Sequence, residues 1–405
     1  MAPSEWVFVP GGVRLAAWGE HPERIDTTAL TAALAALATR HPLLAATIEP
    51  APSGWRFHAR SAPPVPVARP RGTRVEEELA RIGATKAADT LHVAVLPGQD
   101  TDTVVLVLHH AVADHASTAS LNSELTELYA VARSGLPLPP ETPGSTPAPM
   151  EAAIDTTRFT AADITRYAAR RGRTAAGLAV VQLPHRGGAG PSGYSVEHLR
   201  FSEHATADLA ATARRARISM HALTCGALLA AARSMHPGPR ETTAPLVCHM
   251  PVDMRRRLRI PRQAQVFATS GYHAILHLTA DHGAVHAGQQ ITAQFHEAVR
   301  GGELELEVLA LEQLLEQPPL PVTVGVTDLG RYPRPGASAA ADESRPLISA
   351  GLPQVAAPFP VVAASVVHGQ LRISSPCFHA WFDPETVKQF MAHTHTHLGA
   401  ARERS

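Results

Sequence analysis

The sequence predicts a mixed α/β (α+β) protein, built as two domains or one large bilobal unit, and three observations carry that expectation. The chain has 405 residues, more than one hydrophobic core usually organises, and 45% of them are hydrophobic, enough for substantial cores. Segments with strand character alternate with segments of helical spacing in both halves. Two stretches rich in Pro and Gly, SGLPLPPETPGSTPAP (134–149) and PHRGGAGPSG (184–193), are where packed structure is least expected. They place the division between a first lobe over 1–185 and a second over 186–405.

In the first half, Asp26 or Thr27 can cap a helix whose Leu30, Leu34 and Leu37 share one face and which must stop before Pro42. LHVAVL (91–96), a turn-like PGQDTD and VVLVL (104–108) read as a hairpin. The second of these strands is apolar on both faces and therefore central in its sheet. His109, His110 and Asp114 follow it as an HHxxxD pattern. Beyond them Leu121, Leu125, Leu128 and Ala132 recur at helical spacing, with Gly135 and Pro137 as a stop, so the pattern lies in a strand-to-helix loop.

The second half opens with a helix over 202–217 that Ser202 can cap, followed by a nearly all-apolar helix over 220–235 that should be buried. Strands are expected at 245–252, 270–278 and 321–329, and a hairpin of VVAASVV and QLRIS about the HG turn at 368–369. Residues 303–317 and 383–398 read as amphipathic helices.

Composition excludes several classes. Lys+Arg and Asp+Glu both number 36, whereas a nucleic-acid or membrane-surface protein would carry a basic excess. Cys225, Cys248 and Cys377 are widely spaced and form no CxxC, so neither a disulfide framework nor a zinc site is indicated, and a reducing cytoplasm is the default expectation. The opening residues carry no basic n-region, and no run reaches the ~18–20 apolar residues of a membrane span, so a soluble, unprocessed chain is expected. There is no GxSxG, which disfavours a serine hydrolase with a nucleophile elbow.

Four segments in order resemble the chloramphenicol acetyltransferase-like, condensation-domain superfamily, most closely its polyketide-associated acyltransferase branch. IDTTALTAALAALATRHPLLAATI (25–48) is similar to the family's first helix with its RHPLLR-type ending; VVLVLHHAVAD (104–114) carries the HHxxxD signature; VCHMPVDMRRRL (247–258) resembles the PVDLR segment; VTVGVTDLGRYP (322–333) resembles the later SNxGR or DFG-type strand. The resemblance implies two similar lobes in a V shape, with a central tunnel and the motif loop at its middle. It implies acyl transfer from coenzyme A or from a carrier-protein phosphopantetheine to a hydroxyl or an amine. It implies no bound metal or redox cofactor, the acyl-thioester being a co-substrate.

The residues suit that chemistry on their own terms. A hydroxyl is a weak nucleophile at neutral pH and needs a base with a pKa near 7, which imidazole supplies. His110 is the expected base and His109, facing the other way on an extended chain, a structural neighbour. The relatives pair the aspartate with an arginine to hold the loop, a part that Arg255 or Arg331 can play for Asp114. Where the family usually has Gly this chain has His115, which implies either a narrower tunnel or a site drifted from its ancestral activity. The His115 backbone N–H remains available as an oxyanion donor.

Arg255, Arg256, Arg257, Arg259 and Arg262 form the densest basic cluster, with Arg170, Arg171 and Arg173 as a second; each is either a solvated face or a landing site for donor phosphates or an acidic carrier. His109, His110 and His115 make a poor metal site, and His393, His395 and His397 read as a solvated patch. Cys225 reads as a packing residue. The leading expectation is an O-acyltransferase acting on a natural-product or lipid acceptor. Amide formation, a cyclisation or dehydration on the same histidine, and a silent carrier-protein-binding homologue remain open beside it.

Overall fold

The computed structural model describes residues 1–405 except 22, 53, 85–87, 140–143, 192, 262–263, 333–346, 350–358 and 404–405. The strands, in chain order, are β1 (Arg14–His21), β2 (Ala46–Ala51), β3 (Gly54–Ala59), β4 (Val67–Ala68), β5 (Leu91–Pro97), β6 (Asp102–His109), β7 (Tyr194–Arg200), β8 (Ala244–Asp253), β9 (Thr269–Leu278), β10 (Val324–Tyr332), β11 (Leu347–Ser349), β12 (Val361–Val367) and β13 (Gln370–Phe378).

These form two compact units: residues 1–154 with 253–269 and 335–355, and residues 155–252 with 270–334 and 356–405. A single division after residue 185, the simplest reading of the Pro/Gly-rich stretches, differs from this grouping. β11 pairs with β1 through Ala16, Ala17 and Trp18, and the helix Ala161–Gly177 packs on the helices Glu303–Leu309 and Leu311–Leu315. Pairings between segments so distant in sequence leave no mark on local composition.

The first unit contains a five-stranded sheet in the order β11-β1-β6-β5-β4 and a separate β2-β3 hairpin. The aliphatic run of residues 104–108 makes β6, which is antiparallel to both neighbours, from Arg14↔His109 to His21↔Asp102 on one side and from Leu91↔Leu108 on the other. Val104 to Leu108 are buried on both faces of the sheet, which explains why the residues do not alternate between apolar and polar. The helices Thr27–Arg40 and His115–Arg133 pack together, and Leu30, Leu34, Leu37, Leu121, Leu125 and Leu128 join Val93, Leu106 and Leu108 in one core. Asp26 caps the first helix, accepting from the N–H groups of Thr28 (2.9 Å) and Ala29 (3.1 Å); such a cap contributes about 1 kcal/mol.

The second unit has a six-stranded sheet in the order β7-β13-β12-β10-β8-β9, with β10 parallel to both β12 and β8. The β12–β13 hairpin turns at His368 (φ 51°) and Gly369 (φ 83°), the paired positive φ of a type I′ turn. The buried helix Met220–Met235 packs against Ala284–Gly301 so closely that a Cβ at Gly226 would lie 2.2 Å from the Ala284 carbonyl oxygen. Residues 303–317, which read as one helix, form two, with fully buried Ala310 between them. No helix among the described residues is long and apolar enough to cross a membrane.

Candidate active site at the end of the central strand

β6 delivers His109 and His110 to the edge of the first unit's core, and the chain turns through Ala111–Ala113 before the helix His115–Arg133 begins. The backbone fixes both ends of this turn. His109 donates its N–H to the Thr90 carbonyl (2.8 Å), and His110 donates to the Val13 carbonyl (2.8 Å).

The two histidines have different surroundings. His109 is buried, and its Nδ1 accepts the Ala111 N–H at 3.1 Å. Burial, with the positive charge of Arg14 nearby, depresses its pKa to about 3, so its ring is neutral and locked. His110 keeps partial exposure. Its Nδ1 lies 2.8 Å from the Ala113 carbonyl oxygen, and a carbonyl only accepts, so Nδ1 must carry the proton. The neutral ring therefore has its lone pair on Nε2, the arrangement that a general base needs. Burial lowers its pKa below the usual imidazole value, against the opposing effects of the Ala113 contact and the Asp114 charge.

Asp114 is the N-cap of the following helix and lies at the centre of a buried network. One carboxylate oxygen accepts from the Ser117 N–H (3.0 Å) and hydroxyl (2.9 Å). The other accepts from Arg255 (2.5 Å), the Ala268 N–H (3.0 Å) and the Thr269 hydroxyl (3.2 Å). Desolvation would raise the carboxyl pKa, but the Arg255 guanidinium and these hydrogen bonds outweigh it and hold the group below the ordinary carboxylate value. Arg255 extends the network to the Ser117 hydroxyl and the Val266 carbonyl, both at 2.7 Å. Asp114 is thus tied to Arg255, whereas His110 Nδ1 is tied to Ala113. Arg331 is exposed on β10.

His115 occupies the first position of the helix and is not among the residues with positive φ, so the exchange of Gly for His costs no backbone strain. The basic cluster divides: Arg255 is buried in the Asp114 network, Arg256, Arg257 and Arg259 are exposed, and Arg262 lies outside the described residues. Arg259 takes a left-handed φ of 56° at the end of the short helix Arg255–Leu258. In the second cluster Arg170 pairs with Glu303 (2.7 Å), and Arg171 donates to His273 (2.8 Å) and Glu307 (3.3 Å), while Arg173 is exposed. His395 stacks on Phe201 with centroids 5.2 Å apart, and His397 contacts the Ser234 hydroxyl at 2.9 Å. Cys225 is buried, its thiol pKa raised by burial. No group of His, Cys, Asp and Glu among the described residues could hold a metal ion.

Sequence reasoning missed three residues around the motif. Arg14, opposite His109 on β1, is buried and donates to the Ile82 carbonyl (3.2 Å). Phe8 stacks on the His110 ring, and Phe267 meets it edge-on. Aromatic residues are only 5% of the chain, and their scarcity was the available signal. In the second unit Arg171, a pure donor, fixes His273 Nδ1 as acceptor, so His273 Nε2 donates to His249 Nδ1 at 3.0 Å. Burial holds His249 near pKa 4 and His273 well below the usual value.

Residues 190–375 match the family model described as phthiocerol/phthiodiolone dimycocerosyl transferase C-terminus. No curated protein matches the chain by sequence. Among solved structures, polyketide synthase associated protein 5 from Mycobacterium tuberculosis is 22% identical with a TM-score of 0.72, covering 97% of this chain and 95% of that one. The trichothecene 15-O-acetyltransferase from Fusarium sporotrichioides is 12% identical with a TM-score of 0.75, covering 98% and 93%. The epimerization domain from the third module of tyrocidine synthetase B is 15% identical with a TM-score of 0.69, covering 100% and 96%. With the HHxxxD loop at the end of its central strand, the chain has the fold shared by these acyltransferase and condensation-type structures, and its residues 190–375 are similar to the polyketide-associated transferase family model.

Proposed function

We propose that the protein is an acyltransferase that moves an acyl group from a thioester, carried on coenzyme A or on the phosphopantetheine of a carrier protein, to a hydroxyl of a natural-product or lipid acceptor. The observation that supports this reading is the tautomer of His110: the Ala113 carbonyl holds the proton on Nδ1 and leaves the Nε2 lone pair for the acceptor. Relatives whose names describe acyl transfer, one of them an O-acetyltransferase, point the same way.

In this mechanism Nε2 takes the proton from the acceptor hydroxyl as its oxygen bonds to the thioester carbonyl carbon. The carbonyl oxygen becomes an oxyanion, for which the His115 backbone N–H, at the positive end of its helix, is the proposed donor. The intermediate then collapses, the carbon–sulfur bond breaks, and the imidazolium returns its proton to the departing thiolate. Asp114 does not carry the proton; it holds the loop through Arg255, and its charge favours the transient imidazolium. Exposed Arg256, Arg257 and Arg259 are proposed to receive donor phosphates, for which guanidinium groups are suited partners.

The test is intact-mass analysis of products after incubation with a mixed panel of acyl-thioesters and candidate alcohols, for the wild-type protein and His110→Ala. Acylated alcohol with the wild type and little with the variant is expected. Thioester consumption without an acylated acceptor would overturn the reading.

A further inference from the structure

The His110 ring lies between two phenylalanines. Phe8 stacks on it with centroids 4.3 Å apart and planes at 21°, Phe267 meets it edge-on at 5.3 Å and 78°, and the two phenyl rings contact each other at 4.9 Å. Both come from segments outside the motif, and both are tied to it through the backbone. Phe8 accepts the Val13 N–H (3.1 Å), and Val13 accepts the His110 N–H (2.8 Å). Ala268, next to Phe267, donates its N–H to Asp114 (3.0 Å). The Phe8 segment is anchored further back, where the Ser4 N–H and hydroxyl each donate to one carboxylate oxygen of Glu151 at 2.9 Å.

We propose that Phe8 and Phe267 are positioning residues that clamp the His110 imidazole in the one orientation that keeps Nδ1 on the Ala113 carbonyl and Nε2 open to substrate, an inference that rests on the base role proposed above. The ring has two ways to leave this orientation, by rotation about χ1 or by a flip of its plane. The Ala113 contact alone resists both with a single hydrogen bond, whereas a stacked ring on one face and an edge against it remove the space for either. Offset aromatic contacts of this kind favour fixed geometry beyond simple burial. They also shield part of the ring from water. The charged and titratable groups on the elements around His110 include its neighbour His109, Arg14 opposite on β1, Asp114 and His115 on the same loop, Arg255 on the segment leading to Phe267, and Glu5 on the segment leading to Phe8, and the phenylalanines add none. A change at Phe8 therefore acts on His110 through packing and not through charge.

The experiment compares wild type with Phe8→Ala and Phe8→Tyr, reading the His110 titration by NMR of the imidazole CεH signal, assigned with His110→Gln, beside single-turnover transfer. In wild type His110 should titrate below the ordinary imidazole value. In Phe8→Ala its midpoint should move up toward about 6.5, and the transfer rate should fall by roughly 10- to 100-fold, as expected when a reacting group loses its placement. Phe8→Tyr, which keeps the ring, should behave as wild type on both counts. If Phe8→Ala does not fold, Phe267→Leu is read by the same criteria. A His110 titration unchanged by loss of the Phe8 ring overturns the clamp whatever the transfer assay shows. Transfer that survives in His110→Gln instead overturns the base role and leaves the titration to report on packing alone.

Discussion

Removing the Asp114 carboxylate should destabilise the first unit severely. Its side chain is 4% exposed, that of its partner Arg255 is 2% exposed, and five donors from Ser117, Arg255, Ala268 and Thr269 converge on its two oxygens. A surface ion pair contributes at most about 1 kcal/mol. Here the buried guanidinium would keep only the half-exposed Asp253 carboxylate at 3.2 Å as a charged partner, so the loss approaches that of a broken buried pair, about 3–5 kcal/mol. The lost helix cap overlaps this figure and does not add to it in full. For a unit of this size about 4 kcal/mol corresponds to a melting shift of roughly 8–16 °C. Trp6, Trp18 and Trp55 belong to the first unit and only Trp381 to the second, so tryptophan fluorescence reports mainly on the unit that carries the pair. Asp114→Ala, Arg255→Met and the double variant should be melted side by side. The double variant should lose less than the two single losses together, because it removes both charges. Asp114→Ala that melts within about 1 °C of wild type yet has lost transfer would refute the loop-holding role and support a direct catalytic one.

Other consequences are as specific. His109→Ala should lower the melting temperature at least as much as the transfer rate, since the ring is buried and bonded to the Ala111 N–H. Folding stability should fall with acid: histidines that are neutral when folded bind protons first in the unfolded chain, so stability is full above about pH 6.5 and is lost below it, in the range set by His109 near 3 and His249 near 4. For His109 alone that fall is on the order of 5 kcal/mol at its limit, and urea titrations at stepped pH measure it; stability flat down to pH 4 would contradict the assigned burial. Joint reversal of Arg256 and Arg257 to Glu should raise the donor KM and leave kcat nearly unchanged, with the contrast shrinking as salt rises; an unchanged donor KM removes these residues from donor binding. Gly226→Val should destabilise the second unit by about 1–3 kcal/mol or more, because there is no room for a Cβ against the Ala284 carbonyl oxygen, and thermal unfolding checks it.

Much of the motif's setting was legible in the sequence because it is local. An unbroken aliphatic run identified β6, Asp26 announced its cap, and leucine spacing showed the helix after Asp114. The HG hairpin was visible because a two-residue turn with positive φ needs such residues. Long-range partners were not legible. β1, which brings Arg14 opposite His109, has a mixed sequence, RLAAWGEH, whose strand character comes from pairing with β6 on one side and β11 on the other. The choice of Arg255 for Asp114 over Arg331 depends on the path of residues 253–269, and the chain is silent about that path until it folds. Phe8 sits more than a hundred positions before His110, and nothing in its neighbours marks it as the ring that stacks there. The break at Ala310 also escaped notice, because the apolar spacing continues through it while the backbone does not.

The most direct test of the account is the pH dependence of single-turnover acyl transfer with His110 present and replaced by Gln, with melting curves taken on the same samples. Wild-type transfer should rise with pH through one ionisation below the ordinary imidazole value and then stay level. His110→Gln, folded and melting as wild type, should be slower by roughly 10²–10⁴-fold and show no such ionisation. A His110→Gln protein that retains near wild-type turnover, with the same pH profile, would contradict the account.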